Sequence, residues 1–146
     1  MSTATTVVNT SNMMQTNYDT SKLLLGGNKD RVVTYTNPTG SPITLVSGQL
    51  MGMIGATQKV LPLLAAAVDG SQFPVGILIN DRTVAGSATV TLSICTAGDV
   101  AREKVVLNGG NTFATLVDLK SIEDRIAGDT VGIVLITGRE LTGFDN

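Results

Sequence analysis

The clearest signal along the chain is an alternation of apolar and polar residues over positions 88–95. Val90, Leu92 and Ile94 would face one side of a strand, and the hydroxyl-bearing residues between them would face the other. A second signal is the continuous apolar run 74–79, which is typical of a strand covered on both faces. These two patterns predict the centre of a β-sheet.

Shorter patterns nearer the N-terminus predict two more strands. Residues 31–36 and 43–46 are rich in β-branched side chains and flank the turn sequence 37–40. Pro38 and Gly40 occupy the second and fourth positions of this turn, where a type I turn favours them. We therefore expect a hairpin here.

Other segments complete the predicted sheet. Residues 49–54 form a methionine-containing apolar segment, and a short strand is expected before Pro62, with a short strand or a turn of helix after it. Residues 97–99 predict a turn that leads into a returning strand over 100–106. Residues 131–136 predict a last buried strand.

One segment shows a helical pattern, with apolar residues spaced close to 3.6 positions apart. These residues are Leu116, Leu119, Ile122 and Ile126. The helix has two possible starts with capping-box spacing, at Thr115 with Asp118 or at Ser121 with Asp124, and Gly128 is placed to end it in a left-handed conformation. Several short strands and one late helix predict a small, compact, β-rich α+β domain.

The first 28 residues differ in composition from the rest of the chain. Thirteen of the first 21 are Ser, Thr, Asn or Gln, and Asp19 is the only charged side chain before Lys22. Such a segment has too little apolar surface to offset the entropy of ordering itself. We therefore predict an extended N-terminal arm, residues 1–28, that orders on a partner, and a β-rich domain, residues 29–146, that ends in a short C-terminal tail.

Composition and charge exclude several classes of function. Ten basic and twelve acidic residues give a net charge of −2, so no basic stripe is available to neutralise phosphates, and we expect no direct contact with nucleic acid. The longest apolar runs are too short to cross a bilayer, so we expect no membrane contact. The start of the chain lacks the basic and apolar regions of a signal peptide, which favours a soluble protein made inside the cell.

The sequence shows no catalytic or metal-binding arrangement. It has no histidine, which removes the commonest general base, and its single cysteine, Cys95, allows no intrachain disulfide. Cys95 lies in an apolar alternation and is expected to be a small buried residue. An acidic residue such as Asp81 could serve as a base, but turn formation through backbone hydrogen bonds explains it better. We predict no enzymatic activity, no metal, no cofactor and no small-molecule substrate.

The order of the strands carries a resemblance to a known family. The segment 73–81, the strand 88–95, the turn at Gly98 and the segment 99–106 follow one another as in the lambda-type bacteriophage head decoration proteins, also called cement proteins. The likeness covers roughly residues 30–136 in the order of elements.

This resemblance implies a structural virion protein. It implies a homotrimer at local threefold positions on the outer surface of an expanded phage head, where binding stabilises the shell against the pressure of packaged DNA. It also implies that the arm becomes ordered on the major capsid protein, and that the protein is made in the host cytoplasm. The alternatives are another phage structural subunit, such as a capsid-fused or tail-associated β-domain, and an enzyme or small-ligand binder of the β-barrel kind.

Apolar residues of the arm, and of its junction with the body, are the candidates for contact with the capsid. They are Val7, Val8, Met13, Met14, Tyr18, Leu23, Leu24 and Leu25. For the three leucines the alternative is ordinary packing in the core, and for the valines and methionines it is disorder.

Overall fold

The computed structural model describes residues 5–8, 14–17, 22–129 and 131–137 of the 146-residue chain. Met13, Tyr18 and residues 138–146 of the predicted tail lie outside the described residues. Near the N-terminus, β1 (Thr5–Val8) and β2 (Met14–Asn17) pair as an antiparallel hairpin. No helix within the described ranges is long and apolar enough to span a membrane.

A six-stranded sheet forms the body of the protein. Its strands are β3 (Leu24–Thr36), β5 (Leu50–Met53), β6 (Val60–Pro62), β7 (Pro74–Leu78), β9 (Thr89–Ala101) and β12 (Gly132–Ile136). The order is β12, β9, β7, β5 and β6, and β3 also pairs with β9. All pairs are antiparallel except the parallel pair β12 and β9. The strands predicted before Pro62 and over the two apolar runs are thus confirmed as β6, β7 and β12.

Shorter elements surround this sheet. They are β4 (Ile43–Leu45) paired with β8 (Arg82–Val84), a 3₁₀ turn (Arg102–Lys104), β10 (Leu116–Val117) paired with β11 (Lys120–Ser121), the helix α1 (Ile122–Asp124) and a π-helical turn (Arg125–Asp129). The predicted strand-rich fold with a short helical region late in the chain is confirmed.

Two clusters of buried side chains form the core. The first contains Leu50, Leu63, Ile77, Cys95, Val100, Val117, Ile122, Ile126, Val131 and Ile133. The second contains Val33, Tyr35, Leu45, Met51, Val60, Leu78, Val84, Leu92 and Ile94. Both are mainly aliphatic, which agrees with a chain in which aromatic residues make up 3%.

Strand β9 is the alternating segment that the sequence predicts, and it is longer than predicted. Its apolar positions are buried or half-buried, and between them Thr89 and Thr91 are exposed and Ser93 is half-buried, so the predicted alternation is confirmed. The turn predicted over 97–99 and the returning strand predicted over 100–106 are wrong, because β9 continues to Ala101. Gly98 has a φ of 98°, and this residue produces an irregularity within the strand instead of a turn.

The hairpin predicted over residues 31–46 is also wrong, because β3 pairs with β9 and β4 pairs with β8. The reason is Asn37, whose residue surface is only 1% exposed. Its side-chain amide donates hydrogen bonds to the carbonyl oxygens of Ser41, Val84 and Ala85 at 2.8, 3.1 and 3.2 Å. These bonds hold the connection against the end of β8, so the chain crosses over instead of turning back.

The predicted late helix is correct only in its second half. The first half forms the β10–β11 hairpin, because Asp118 and Leu119 adopt left-handed φ angles of 48° and 68°. The second of the two predicted starts is confirmed, since the hydroxyl of Ser121 accepts a hydrogen bond from the Asp124 N–H at 3.2 Å. The predicted glycine cap is wrong, because Gly128 is not left-handed and lies in the π-helical turn.

Candidate binding region at the start of β3

The N-terminal part of the chain joins the body where the pairing of β3 with β9 is irregular. Leu24 lies opposite Val100, and Asp30 lies opposite Cys95. The register shifts three times between these two pairs, whereas it runs without a break from Asp30 to Thr36. We call residues 24–30 the bulge.

Two glycines make this geometry possible. Gly27 and Gly98 have φ angles of 62° and 98°, which are readily adopted only by glycine. Gly98 also lies directly against the bulge: an added Cβ would stand 2.6 Å from the carbonyl oxygen of Gly27 and 2.7 Å from the Cα of Asn28. Position 98 therefore requires glycine for its backbone angle and for the close approach of β3.

The side chain of Asn28 connects the bulge to β9. Its amide nitrogen donates to the carbonyl oxygens of Asp99 and Ala97 at 3.0 and 3.3 Å and lies 3.5 Å from the sulfur of Cys95. Its amide oxygen accepts a bond from the Gly26 N–H at 3.0 Å. Asn28 thus supplies hydrogen bonds where the regular ladder is interrupted.

A cavity of about 300 Å³ opens beside the bulge. It is lined by Leu24, Asn28, Lys29, Asp30, Ile79 and Cys95. Cys95 is fully buried, as predicted, and its thiol donates to the carbonyl oxygen of Ala97 at 3.2 Å. Burial raises the pKa of this thiol above its ordinary value, so the thiol stays protonated near neutral pH.

The three candidate leucines lie at or in the bulge. Leu23 and Leu24 are half-buried and pack against the first core cluster, and the Leu23 carbonyl accepts a bond from the Ala101 N–H at 2.9 Å. Leu25 is half-buried within β3. Core packing therefore accounts for part of the surface of Leu23 and Leu24, and contact with a capsid stays a prediction for all three. The predicted boundary after residue 28 falls inside β3, which begins at Leu24.

The remaining candidates belong to the first 18 residues of the chain. Val7 and Val8 belong to β1, and Met14 belongs to β2, where it lies opposite Val8 in the register. Met13 and Tyr18 are outside the described residues. For all five of these residues, contact with the capsid stays a prediction.

Asp81, considered above as a possible base, has a structural role. One of its carboxylate oxygens accepts a hydrogen bond from the Ser47 N–H at 2.6 Å, beside a second cavity of about 150 Å³. The carboxylate therefore holds the loop after β4, as expected for a turn-forming residue. Within residues 22–129 and 131–137, no three potential metal ligands lie close together.

Two features of the structure were not found from the sequence. One is the bulge, for which the glycine pair at 26–27 beside an apolar segment is a usable signal. The other is the exposed turn at Asp118 and Leu119, where aspartate is common in such turns but leucine is not, so the only signal is Asp118.

Comparison with known proteins identifies a family that matches most of this chain. A sequence model of the family described as bacteriophage lambda head decoration protein D matches residues 13–116, more than two thirds of the chain. The matched residues include the bulge, all of β9 and the lining of the 300 Å³ cavity. A search of curated proteins gave no match. The resemblance stated from the sequence is thereby confirmed, and the chain belongs to the bacteriophage lambda head decoration protein D family, whose members are structural proteins of the phage capsid and not enzymes.

Proposed function

We propose that this protein binds the outer surface of the phage head as a homotrimer, contacts the major capsid protein through residues 1–21, and stabilises the shell against the pressure of packaged DNA. Membership of the head decoration family supports the association with a capsid. We call residues 1–21 the N-terminal segment.

One observation supports the proposed role of the N-terminal segment in binding the capsid protein. The β1–β2 hairpin pairs with none of the other strands that the structure describes. A two-stranded hairpin without further packing is marginally stable in water, and its edges offer unpaired backbone groups to a third strand. A strand of the capsid protein is a suitable third strand, and main-chain hydrogen bonds would supply the affinity.

The junction with the body suits this role. Only Lys22 separates the segment from Leu23 and Leu24, which pack on the core, and from the bulge that Asn28 holds in place. A contact made by the segment is therefore transmitted to a rigid body. Three such segments in one trimer multiply a modest single affinity.

The test removes residues 2–21 and measures occupancy on undecorated, expanded heads. We expect the truncated protein to keep nearly the same melting temperature, because the body has its own core, and to lose attachment. A loss of about 2 kcal/mol per segment would lower the affinity of a trimer by several orders of magnitude. Because the segment contains a single charged side chain, Asp19, occupancy of the intact protein should change little between low and high salt.

A variant with residues 2–21 in shuffled order is the matched control, since it keeps the length, composition and charge of the segment. Loss of attachment in this variant shows that the order of residues matters. Equal occupancy for the intact and truncated proteins would remove the segment from the mechanism. Steep dependence on salt would instead place the interface on charged residues of the body.

A further inference from the structure

The turn between β10 and β11 presents an exposed leucine on a strained backbone. Leu119 is 93% exposed and has a φ of 68°, and its neighbour Asp118 has a φ of 48°. Aspartate tolerates left-handed angles, but they are unfavourable for leucine, and turns of this kind usually contain glycine, asparagine or aspartate. A leucine here is unfavourable for its own fold through both strain and exposure, which points to a contact outside its own subunit.

The hairpin that carries Leu119 is held firmly. The buried guanidinium of Arg125 donates two hydrogen bonds, from Nε and Nη2, to the Val117 carbonyl oxygen at 3.0 and 2.6 Å and lies 4.9 Å from the centre of the Phe73 ring. The N–H of Ile122 donates to the Thr115 carbonyl at 2.9 Å, which closes the base of the hairpin. Leu119 is therefore presented in a fixed position, so little ordering is needed when it binds.

The same chain contains a cavity that fits this side chain. The cavity beside the bulge has a volume of about 300 Å³, and its apolar lining comes from Leu24, Ile79 and Cys95. An apolar cavity of about 150 Å³ is large enough to hold benzene, so this cavity has room for a leucine side chain. We call Leu119 the tip; it lies between β10 and β11, whereas the residues that line the cavity belong to other parts of the chain.

Charged residues lie beside Leu119 and in the lining of the cavity. Asp118 and Lys120 are the neighbours of Leu119 in the sequence, and Lys29 and Asp30 line the cavity. Each side thus has one acidic and one basic residue, and an orientation that brings Asp118 towards Lys29 and Lys120 towards Asp30 would place opposite charges together. Such complementarity fixes the register of an interface more than it adds affinity.

We propose that Leu119 of one copy inserts into the cavity beside the bulge of a neighbouring copy. The contact joins two different surfaces, so it is heterologous, and three such contacts related by a threefold axis close into a ring. This inference rests on the homotrimer of the proposed function and adds the interface that builds it. The tip lies beyond residues 13–116, so the family match does not supply this contact.

The first test is Leu119→Gly, which distinguishes an effect on the contact between copies from an effect on the stability of each copy. Glycine removes the side chain and also relieves the left-handed strain, so thermal unfolding measured at a concentration that gives monomers should shift upward. In sedimentation velocity, the concentration at which trimers dissociate should rise at least tenfold, because a buried leucine is lost from each contact. The control is Val68→Ala, which removes apolar surface at a side chain 94% exposed outside the hairpin and should leave assembly unchanged. Unchanged assembly of Leu119→Gly would overturn the proposal.

The second test uses engineered cysteines, because Cys95 itself is fully buried whereas Lys29, which also lines the cavity, is exposed. In Leu119→Cys combined with Lys29→Cys and Cys95→Ala, mild oxidation with diamide, which takes up the two electrons and two protons released by the thiols, should form a disulfide between positions 119 and 29. Mixing ¹⁴N- and ¹⁵N-labelled protein before oxidation shows by mass spectrometry whether the linked peptides come from two copies. The link should be intermolecular and should vanish when Lys29 is left unchanged. A link within one copy, or between two copies of position 119 only, would contradict the proposal.

Occupancy on undecorated heads distinguishes this inference from the proposed function. If Leu119→Gly assembles like the wild type but occupies fewer heads, Leu119 contacts the capsid protein and not another copy. That result would overturn the inference and leave the proposed function in place. A wild-type protein that never occupies heads would refute the proposed function, whatever the interface between copies.

Discussion

The two halves of the β3–β9 pair differ although they belong to the same strands. From Asp30 to Thr36, β3 follows β9 without a shift of register, and its inward side chains enter the second core cluster. From Leu24 to Asp30, the register shifts three times, and the gap is bridged by Asn28. We call these the regular half and the irregular half.

The comparison shows what each half contributes. The regular half is stabilised by apolar burial and a continuous ladder, neither of which depends on any single polar residue. The irregular half depends on individual residues, because Gly98 allows the approach of the strands and Asn28 replaces ladder bonds. This half also carries the cavity and the junction with the N-terminal segment, so both proposed contacts involve the part of the sheet that departs from regularity.

The largest effect should come from the core of the regular half. Ile94 is fully buried in the second core cluster, so Ile94→Ala should lower the free energy of unfolding by about 2–5 kcal/mol through lost burial and a new cavity. Ile94→Val, the graded control, should cost about 0.5–1.5 kcal/mol. Urea unfolding followed by circular dichroism measures both. A cost for Ile94→Ala below that of Ile94→Val would show that the regular half is loosely packed.

The next largest effect should come from the glycine of the irregular half. Gly98→Ala places a Cβ 2.6 Å from the Gly27 carbonyl oxygen and forces alanine to a φ of 98°, so a loss of about 2–3 kcal/mol is expected. Gly40→Ala is the control, because its added Cβ would meet nothing within 4 Å, and it should change stability little. Equal unfolding free energies for the two variants, measured in urea, would show that the bulge can open without cost.

Asn28→Ala should have a smaller effect on stability and a specific effect on Cys95. Loss of the bonds to Ala97 and Asp99 should lower the free energy of unfolding by about 1–2 kcal/mol. The bulge should then open more often, so the buried thiol should react faster with a disulfide reagent, whereas Ile94→Val should leave this rate nearly unchanged. An unchanged labelling rate in Asn28→Ala would mean that Asn28 does not hold the bulge closed.

The contrast between the two halves also explains which parts of the structure the sequence predicts. Alternation and apolar runs are local and periodic, so they predicted β9, β7 and β12. The sequence predicts a turn at Gly98, because glycine marks turns and bulges alike and only the partner strand decides between them. The crossover at Asn37 depends on carbonyl groups more than 40 residues away in the chain, at Val84 and Ala85, and no local pattern reveals them. Leu119 falls on the 3.6-residue period of the predicted helix although it lies in a turn. Leucine does not normally mark a left-handed angle, so the sequence does not reveal this turn at Leu119.

The smallest change in stability is expected at an exposed position of β3, and it tests the alternation of exposed and buried residues along this strand. Val32 and Val33 are neighbours in the regular half, but the first is 68% exposed and the second 5% exposed. Val32→Thr keeps the β-branched shape at an exposed position, so the free energy of unfolding should change by less than about 0.5 kcal/mol. Val33→Thr makes the same chemical change at a buried position, where the added hydroxyl should cost about 1–3 kcal/mol unless it finds a hydrogen-bond partner. The pair is measured by chemical denaturation at one protein concentration, because the proposed assembly would make apparent stability depend on concentration. If Val32→Thr cost as much as Val33→Thr, the outer face of β3 would be covered in solution by another copy, and the regular half would also take part in assembly.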